Sequence, residues 1–162
     1  MKQPLAIILM GSKSDLEHCQ KIADTCQKFG IDPVMRIASA HKTATRLLEI
    51  LAAYEADPRA KVYITVAGRS NALSGMADAS VSSPVIACPP SSSSFGGADI
   101  YSSLRMPSGV APMVILEPEN AALAAAKIFG QSHPDILTKV KEYQENHRQR
   151  LYAADEELNN LS

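Results

Sequence analysis

Leu5-Ala6-Ile7-Ile8-Leu9-Met10-Gly11-Ser12-Lys13-Ser14-Asp15 decides how this chain is read. An unbroken apolar run, ended by a glycine and a string of small polar side chains, describes a strand covered on both faces. A helix follows at once. Leu16, Cys19, Ile22, Ala23, Cys26 and Phe29 recur at helical spacing, and Gly30 is a natural stop. Strand, polar turn and helix make up the unit from which parallel sheets are built.

Working outward, the unit recurs. A second strand is expected at 34–38, followed by the turn Ser39-Ala40-His41-Lys42 and a helix from about 43 to 54. A third strand at 62–67 opens into Gly68-Arg69-Ser70-Asn71-Ala72-Leu73-Ser74-Gly75. A very short fourth strand at 85–88 is entered through Pro84 and left through Pro89-Pro90, and a fifth is expected at 114–116. Pro118-Glu119-Asn120 opens a helix over 121–129 that is apolar nearly all round, so it belongs in the interior. Five strands alternating with helices in this length predict a flavodoxin-like three-layer α/β sandwich with a parallel sheet. No linker or repeat interrupts it, so residues 1–162 are expected to form a single domain. An added C-terminal helix, about 134–158, has apolar residues spread among many charges. It either lies along its own domain or packs on a neighbouring subunit.

Composition narrows the function. The 162 residues are 46% hydrophobic and 20% charged, with a formal net charge of −1. That balance gives no general attraction to nucleic acid or an anionic membrane, so any bound phosphate must be held by local groups. No apolar run approaches the roughly 18 residues of a membrane span. Met1-Lys2-Gln3-Pro4 passes directly into the first strand without a signal-peptide pattern, so the expected location is the cytoplasm. Cys19, Cys26 and Cys88 are too few and scattered for a disulfide framework or a zinc site, and are expected to be reduced core residues. No metal site is expected.

Ligands of parallel sheets bind beyond the carboxyl ends of the strands, where the informative turns of this sequence fall. In the first, Gly11 permits a tight turn, Ser12 and Ser14 offer hydroxyls, and the incoming helix adds its N-terminal field. These features suit a phosphate or ribose; an ordinary helix cap explains the same residues. Asp15 would repel phosphate but can accept hydrogen bonds from ribose hydroxyls. The turn is neither a P-loop nor a Gly-x-Gly-x-x-Gly fingerprint. In the second turn His41 can exchange a proton near neutral pH, and Lys42 offers a cation. His18, His133 and His147 stand in no comparable loop. In the third, small residues around Gly68 allow close approach to a flat ring, while Arg69, Ser70 and Asn71 add polar reach. Cys88-Pro89-Pro90, four serines and Phe95-Gly96-Gly97-Ala98-Asp99 read as a mobile loop or lid.

These motifs occur in an order that resembles the aminoimidazole ribonucleotide carboxylase (PurE) family. The resemblance runs from about Leu5 to Phe129 and rests on Met10–Asp15, Ser39-Ala40-His41, Ala67-Gly68 through Leu73-Ser74-Gly75-Met76, Met106-Pro107-Ser108-Gly109-Val110, and Asn120-Ala121-Ala122-Leu123-Ala124-Ala125. It implies a cofactor-independent carboxy-lyase of purine biosynthesis acting on 5-aminoimidazole ribonucleotide (AIR) and CO2. It also implies a homo-oligomer, tetramer or octamer. Within the family, Ser39-Ala40-His41-Lys42, Gly68 to Gly75 and Asp99-Ile100-Tyr101-Ser102-Ser103-Leu104-Arg105-Met106 resemble class II, the direct carboxylases. Class I, the N5-carboxyaminoimidazole ribonucleotide mutases, is the alternative. Carried over by position, His41 matches the catalytic histidine, and Ser12, Asp15 and Lys42 match substrate-binding positions. Ser14, Ser39, Gly68, Arg69 and Ser70 complete the expected site. The competing class of function is a flavodoxin-like module that holds FMN or a nucleotide without turnover. The chain has no Trp and few aromatics with which to sandwich a flavin.

Overall fold

β1 (Leu5–Met10) pairs residue for residue with two parallel neighbours, β2 (Asp32–Ile37) on one side and β3 (Lys61–Val66) on the other. All of its residues are buried, as a strand without an edge and with helices on both faces must be. β4 (Val85–Ala87) and β5 (Met113–Val114) extend the sheet beyond β3 in the order β2-β1-β3-β4-β5, every pairing parallel. This is the flavodoxin-like order, which reverses direction between β1 and β3. The structure, a computed structural model, describes residues 2–92 and 94–160, so Ser93 of the serine run lies outside the described residues.

The helices are α1 (Leu16–Phe29), α2 (Ala44–Glu55), α3 (Ala72–Asp78), α4 (Tyr101–Leu104), α5 (Pro118–Phe129) and α6 (Pro134–Asn159). The two-residue period of a strand sends alternate β1 side chains to opposite faces. Ala6, Ile8 and Met10 meet Cys19, Ile22 and Cys26 of α1, Ala122 and Ala125 of α5, and Ile136 of α6. Leu5, Ile7 and Leu9 meet Leu47 and Leu51 of α2 and Leu73 and Ala77 of α3. The result is three layers, with the sheet in the middle.

The strands differ from their expected limits at the sheet edges. β2 starts two residues early and takes in Pro33, which an edge strand tolerates because one side needs no amide donors. β5 keeps only Met113 and Val114 in the ladder, since its sole partner β4 is itself short. α1 ends at Gly30, whose φ of 81° is the left-handed conformation of a helix C-cap. α6 has 26 residues and so runs for about 39 Å. Only Ile136 and Val140 are buried in it, while Leu151, Tyr152 and Leu158 are exposed. Its first turns lie on the core of its own chain and the remainder stands clear. Cys19, Cys26 and Cys88 are free and buried.

Candidate active site

Register brings the site together. Met10 lies opposite both Ile37 and Val66, so β1, β2 and β3 reach their carboxyl ends at one level. The ladder continues for one further step: Ala38 N–H donates to Met10 O at 3.0 Å, and Gly11 N–H to Val66 O at 3.1 Å. The loops that start there, joined by the loop after β4, surround a cleft of about 600 Å³. Every residue of the expected site lines it, whereas Asn71, expected to add polar reach, is buried and turned toward Ser74 and Ser103. Ser12, Ser14 and Asp15 come from the first loop, Ser39, His41 and Lys42 from the second, and Gly68, Arg69 and Ser70 from the third.

The first loop is both a cap and a site wall. Ser12 Oγ accepts hydrogen bonds from Ser14 N–H at 3.2 Å and Ser14 Oγ–H at 2.9 Å, which caps the short 3-10 turn Lys13–Asp15. Neither contact uses the Ser12 hydroxyl proton. Asp15 precedes α1 but makes no side-chain capping bond, so its carboxylate is not consumed by the helix. Partial burial raises its pKa above the ordinary 3.8, outweighing a backbone hydrogen bond from Ser12 and the nearby His18. The second loop is braced from within. Thr43 Oγ1 accepts Ser39 N–H at 2.9 Å, and Ser39 Oγ accepts Lys42 N–H at 3.3 Å. His41 and Lys42 are exposed at the tip of this brace.

In the third loop, a Cβ placed on Gly68 would come no nearer than 3.6 Å to Pro90 and 3.8 Å to Asp99 Oδ2. The small residue therefore leaves open space in the cleft rather than relieving a clash with the protein. Arg69 is one of two non-glycine residues with positive φ among the described residues, at 59°. Neither Lys42 nor Arg69 forms an ion pair among the described residues, so their charges are available to an anion. At the opposite end of the sheet the cation is spoken for. Arg59 donates to both Asp57 and Asp32, and the Asp57 carboxyl is held down at about 2 by its hydrogen bonds to Arg59.

Sequence reasoning did not single out Asp99, Pro90 or Leu73 as cleft residues, although the structure puts all three on the wall. Asp99 is 30 positions from the residue it contacts, Arg69, and no periodic pattern signals such a pairing. His18 does not line the cleft. Its Nε2 lies 3.3 Å from Cys88 Sγ, and burial lowers its pKa while burial lifts the Cys88 thiol to about 12. Both shifts favour the neutral forms, so this contact is not a thiolate–imidazolium pair. Gly75 packs under Met106, whose Sδ would be 3.1 Å from an added Cβ. Asp78 Oδ2 accepts Ala111 N–H at 2.7 Å, so the Met106–Val110 segment is fastened to α3.

A family model described as AIR carboxylase matches residues 5–150. A phosphoribosylaminoimidazole carboxylase of Archaeoglobus fulgidus is 61% identical, over 94% of this chain and 84% of its own. One of Treponema denticola is 55% identical over 96% and 98%. The crystal structure of Treponema denticola PurE superimposes with a TM-score of 0.95 over 96% of this chain and 99% of that one.

The raised Asp15 pKa has a signed consequence. Between 3.8 and the raised value the folded chain binds more protons than the unfolded chain, so stability from this group falls as pH rises through that window. At neutral pH the whole penalty is present. Asp15→Asn should therefore match or exceed the parent in Tm at pH 7, and that advantage should shrink as the pH approaches 3.8. Thermal melts across pH check this; a Tm at pH 7 well below the parent's contradicts it.

Proposed function

The chain belongs to the AIR carboxylase family, and from that premise we propose that its cleft carries out the reversible carboxylation of AIR by CO2 in purine biosynthesis. The observation that supports this best is the gathering of one imidazole, two cations outside any ion pair among the described residues, and serines from several turns around a single cleft at the β1/β3 reversal. A phosphorylated ribose needs cations and hydroxyl donors. A ring carbon that gains a carboxyl group needs a base.

The chemistry follows from the substrate. The 5-amino group of AIR pushes electron density onto C4, which attacks CO2 to form the new C–C bond. C4 then carries both the carboxylate and its original proton, and the ring regains aromaticity when that proton leaves. His41 accepts it, and in the reverse direction returns it to C4 as the C–C bond breaks. Lys42 and the hydroxyls of Ser12, Ser14 and Ser39 hold the phosphoribosyl group, with Asp15 accepting hydrogen bonds from the ribose. Lys42 offers a point charge where an arginine would offer a bidentate grip. Gly68 leaves room for the imidazole ring, with Arg69 and Ser70 beside it. Holding ring and CO2 in contact supplies the rest of the acceleration. The scheme calls on no metal, ATP, biotin or flavin.

We read the chain as a class II enzyme, the direct carboxylase rather than the mutase, on the residues of the second, third and fourth loops. We also place the reaction in the cytoplasm, as suits a biosynthetic step; no described helix is long and apolar enough to cross a membrane. Homo-oligomerisation belongs to the same reading. Phe95 is 83% and Tyr101 71% exposed beside the cleft, and Leu151 is 72% exposed on the clear part of α6. Side chains of this size leave water on association with further copies.

The decisive assay supplies AIR with CO2, without ATP, beside a parallel assay supplying N5-carboxyaminoimidazole ribonucleotide. Product from the first and not the second is expected; the reverse result would make the chain a mutase. His41→Asn should still bind AIR in calorimetry but lose carboxylation and decarboxylation together, each by about 10²–10⁴-fold. Near-parent turnover would remove His41 from the proton transfer. Sedimentation of the purified chain should show a tetramer or octamer, and a monomer at micromolar concentration would sink the assembly reading.

A further inference from the structure

The third loop holds an arginine in a conformation that arginine does not choose, and something must keep it there. Arg69 has φ of 59°, in the left-handed region where a Cβ is crowded by the following carbonyl. Its flanking peptides are gripped by one turn of distant chain. Asp99 Oδ2 accepts Arg69 N–H at 3.0 Å. Ser102 Oγ accepts the amide two residues further on, Asn71 N–H, at 2.9 Å, and its single proton is shared between Asp99 O at 2.8 Å and Arg69 O at 3.1 Å. We infer that Asp99 is a positioning residue, whose carboxylate clamps the Arg69 backbone and so holds the third loop in its substrate-binding shape.

The clamp has a firm root. Asn71 Nδ2 donates to Ser103 Oγ at 2.8 Å, and Asn71 Oδ1 accepts both Ser74 N–H at 3.1 Å and Ser74 Oγ–H at 2.9 Å. Since the Ser74 proton is committed to that carbonyl oxygen, Thr65 must be the donor in the 2.7 Å Thr65–Ser74 contact. Thr65, Asn71, Ser74 and Ser103 are all buried, so the chain of bonds runs from the carboxyl end of β3 to the 99–103 turn without reaching water. Asp99 stands at the other end of this network, on the cleft wall, facing Gly68 and Arg69. The turn can approach because Gly96 and Gly97 take φ of 60° and 79°, reversing the chain just before Asp99.

A clamp on a binding loop has a kinetic signature. Releasing it lowers the fraction of molecules with the loop in its competent shape, and that fraction divides the apparent affinity without altering the complex once formed. This inference rests on the carboxylase reading for its kinetic arm and on hydrogen exchange for an arm that needs no substrate. Asp99→Ala should raise the KM for AIR about tenfold, leave kcat within about twofold, and speed exchange of the 67–72 backbone measured by mass spectrometry. Asp99→Asn should restore both, because an amide oxygen accepts the same N–H. In an Arg69→Asn background the effect of Asp99→Ala should shrink, since asparagine enters the left-handed region readily. If Asp99→Asn proves as damaging as Asp99→Ala, or kcat falls while KM holds, the carboxylate acts on substrate and the clamp is refuted. Exchange that ignores Asp99→Ala in an active enzyme refutes the clamp alone. Exchange that responds in a chain with no carboxylase activity refutes the functional reading alone.

Discussion

β1 has no free edge. Its backbone is paired with β2 along one side and with β3 along the other, and its side chains are buried on both faces. A strand so placed fixes the register of both neighbours, because slipping either by one residue would turn a buried face toward the wrong layer. Residues Met10, Ile37 and Val66 end level for that reason. The loops after them therefore converge, and the reversal of strand order between β1 and β3 leaves a gap that no helix fills. The cleft is thus a by-product of how the parallel sheet is laid down on both sides of β1.

Such dependence explains which parts were legible in the residues. Leu5–Met10 and Val62–Val66 announce themselves because burial on both faces demands continuous apolar sequence. Edge strands lack that demand, and β2 and β5 lie one or two residues from their expected limits at each end. The site was legible where a loop's chemistry is local. Ser12, Asp15, His41 and Lys42 sit within a few positions of a strand end, so a strand assignment alone puts them in the cleft. Asp99 and Leu73 were not legible. Asp99 reaches the site through a turn made by three successive residues of positive φ, Phe95, Gly96 and Gly97, and nothing in an alternating pattern encodes where such a turn points.

The two ends of the sheet show opposite electrostatic solutions. At the amino ends Arg59 is satisfied by two carboxylates, one of them bidentate, and the group is closed. At the carboxyl ends the Lys42 and Arg69 side chains form no ion pair among the described residues, while Asp15 is held where burial opposes its charge. The buried charge of Asp15 and the left-handed backbone of Arg69 both run against stability. Their presence together around the cleft is the pattern expected where local rules yield to binding.

Two loops flank the central one, and they are braced in different ways. The His41 loop is held by its own residues, Ser39 and Thr43, so its shape travels with the local sequence. The Arg69 loop is held from 30 positions away, through hydrogen bonds that lead back to buried Thr65. A base must be placed at one atom, and a short local brace does that with few parts. In the proposed function the Arg69 loop faces the ring, and a clamp rooted outside that loop can release without disturbing the brace around His41. In the proposed function, proton transfer and substrate seating thus fall to loops that are tied to the sheet in different ways.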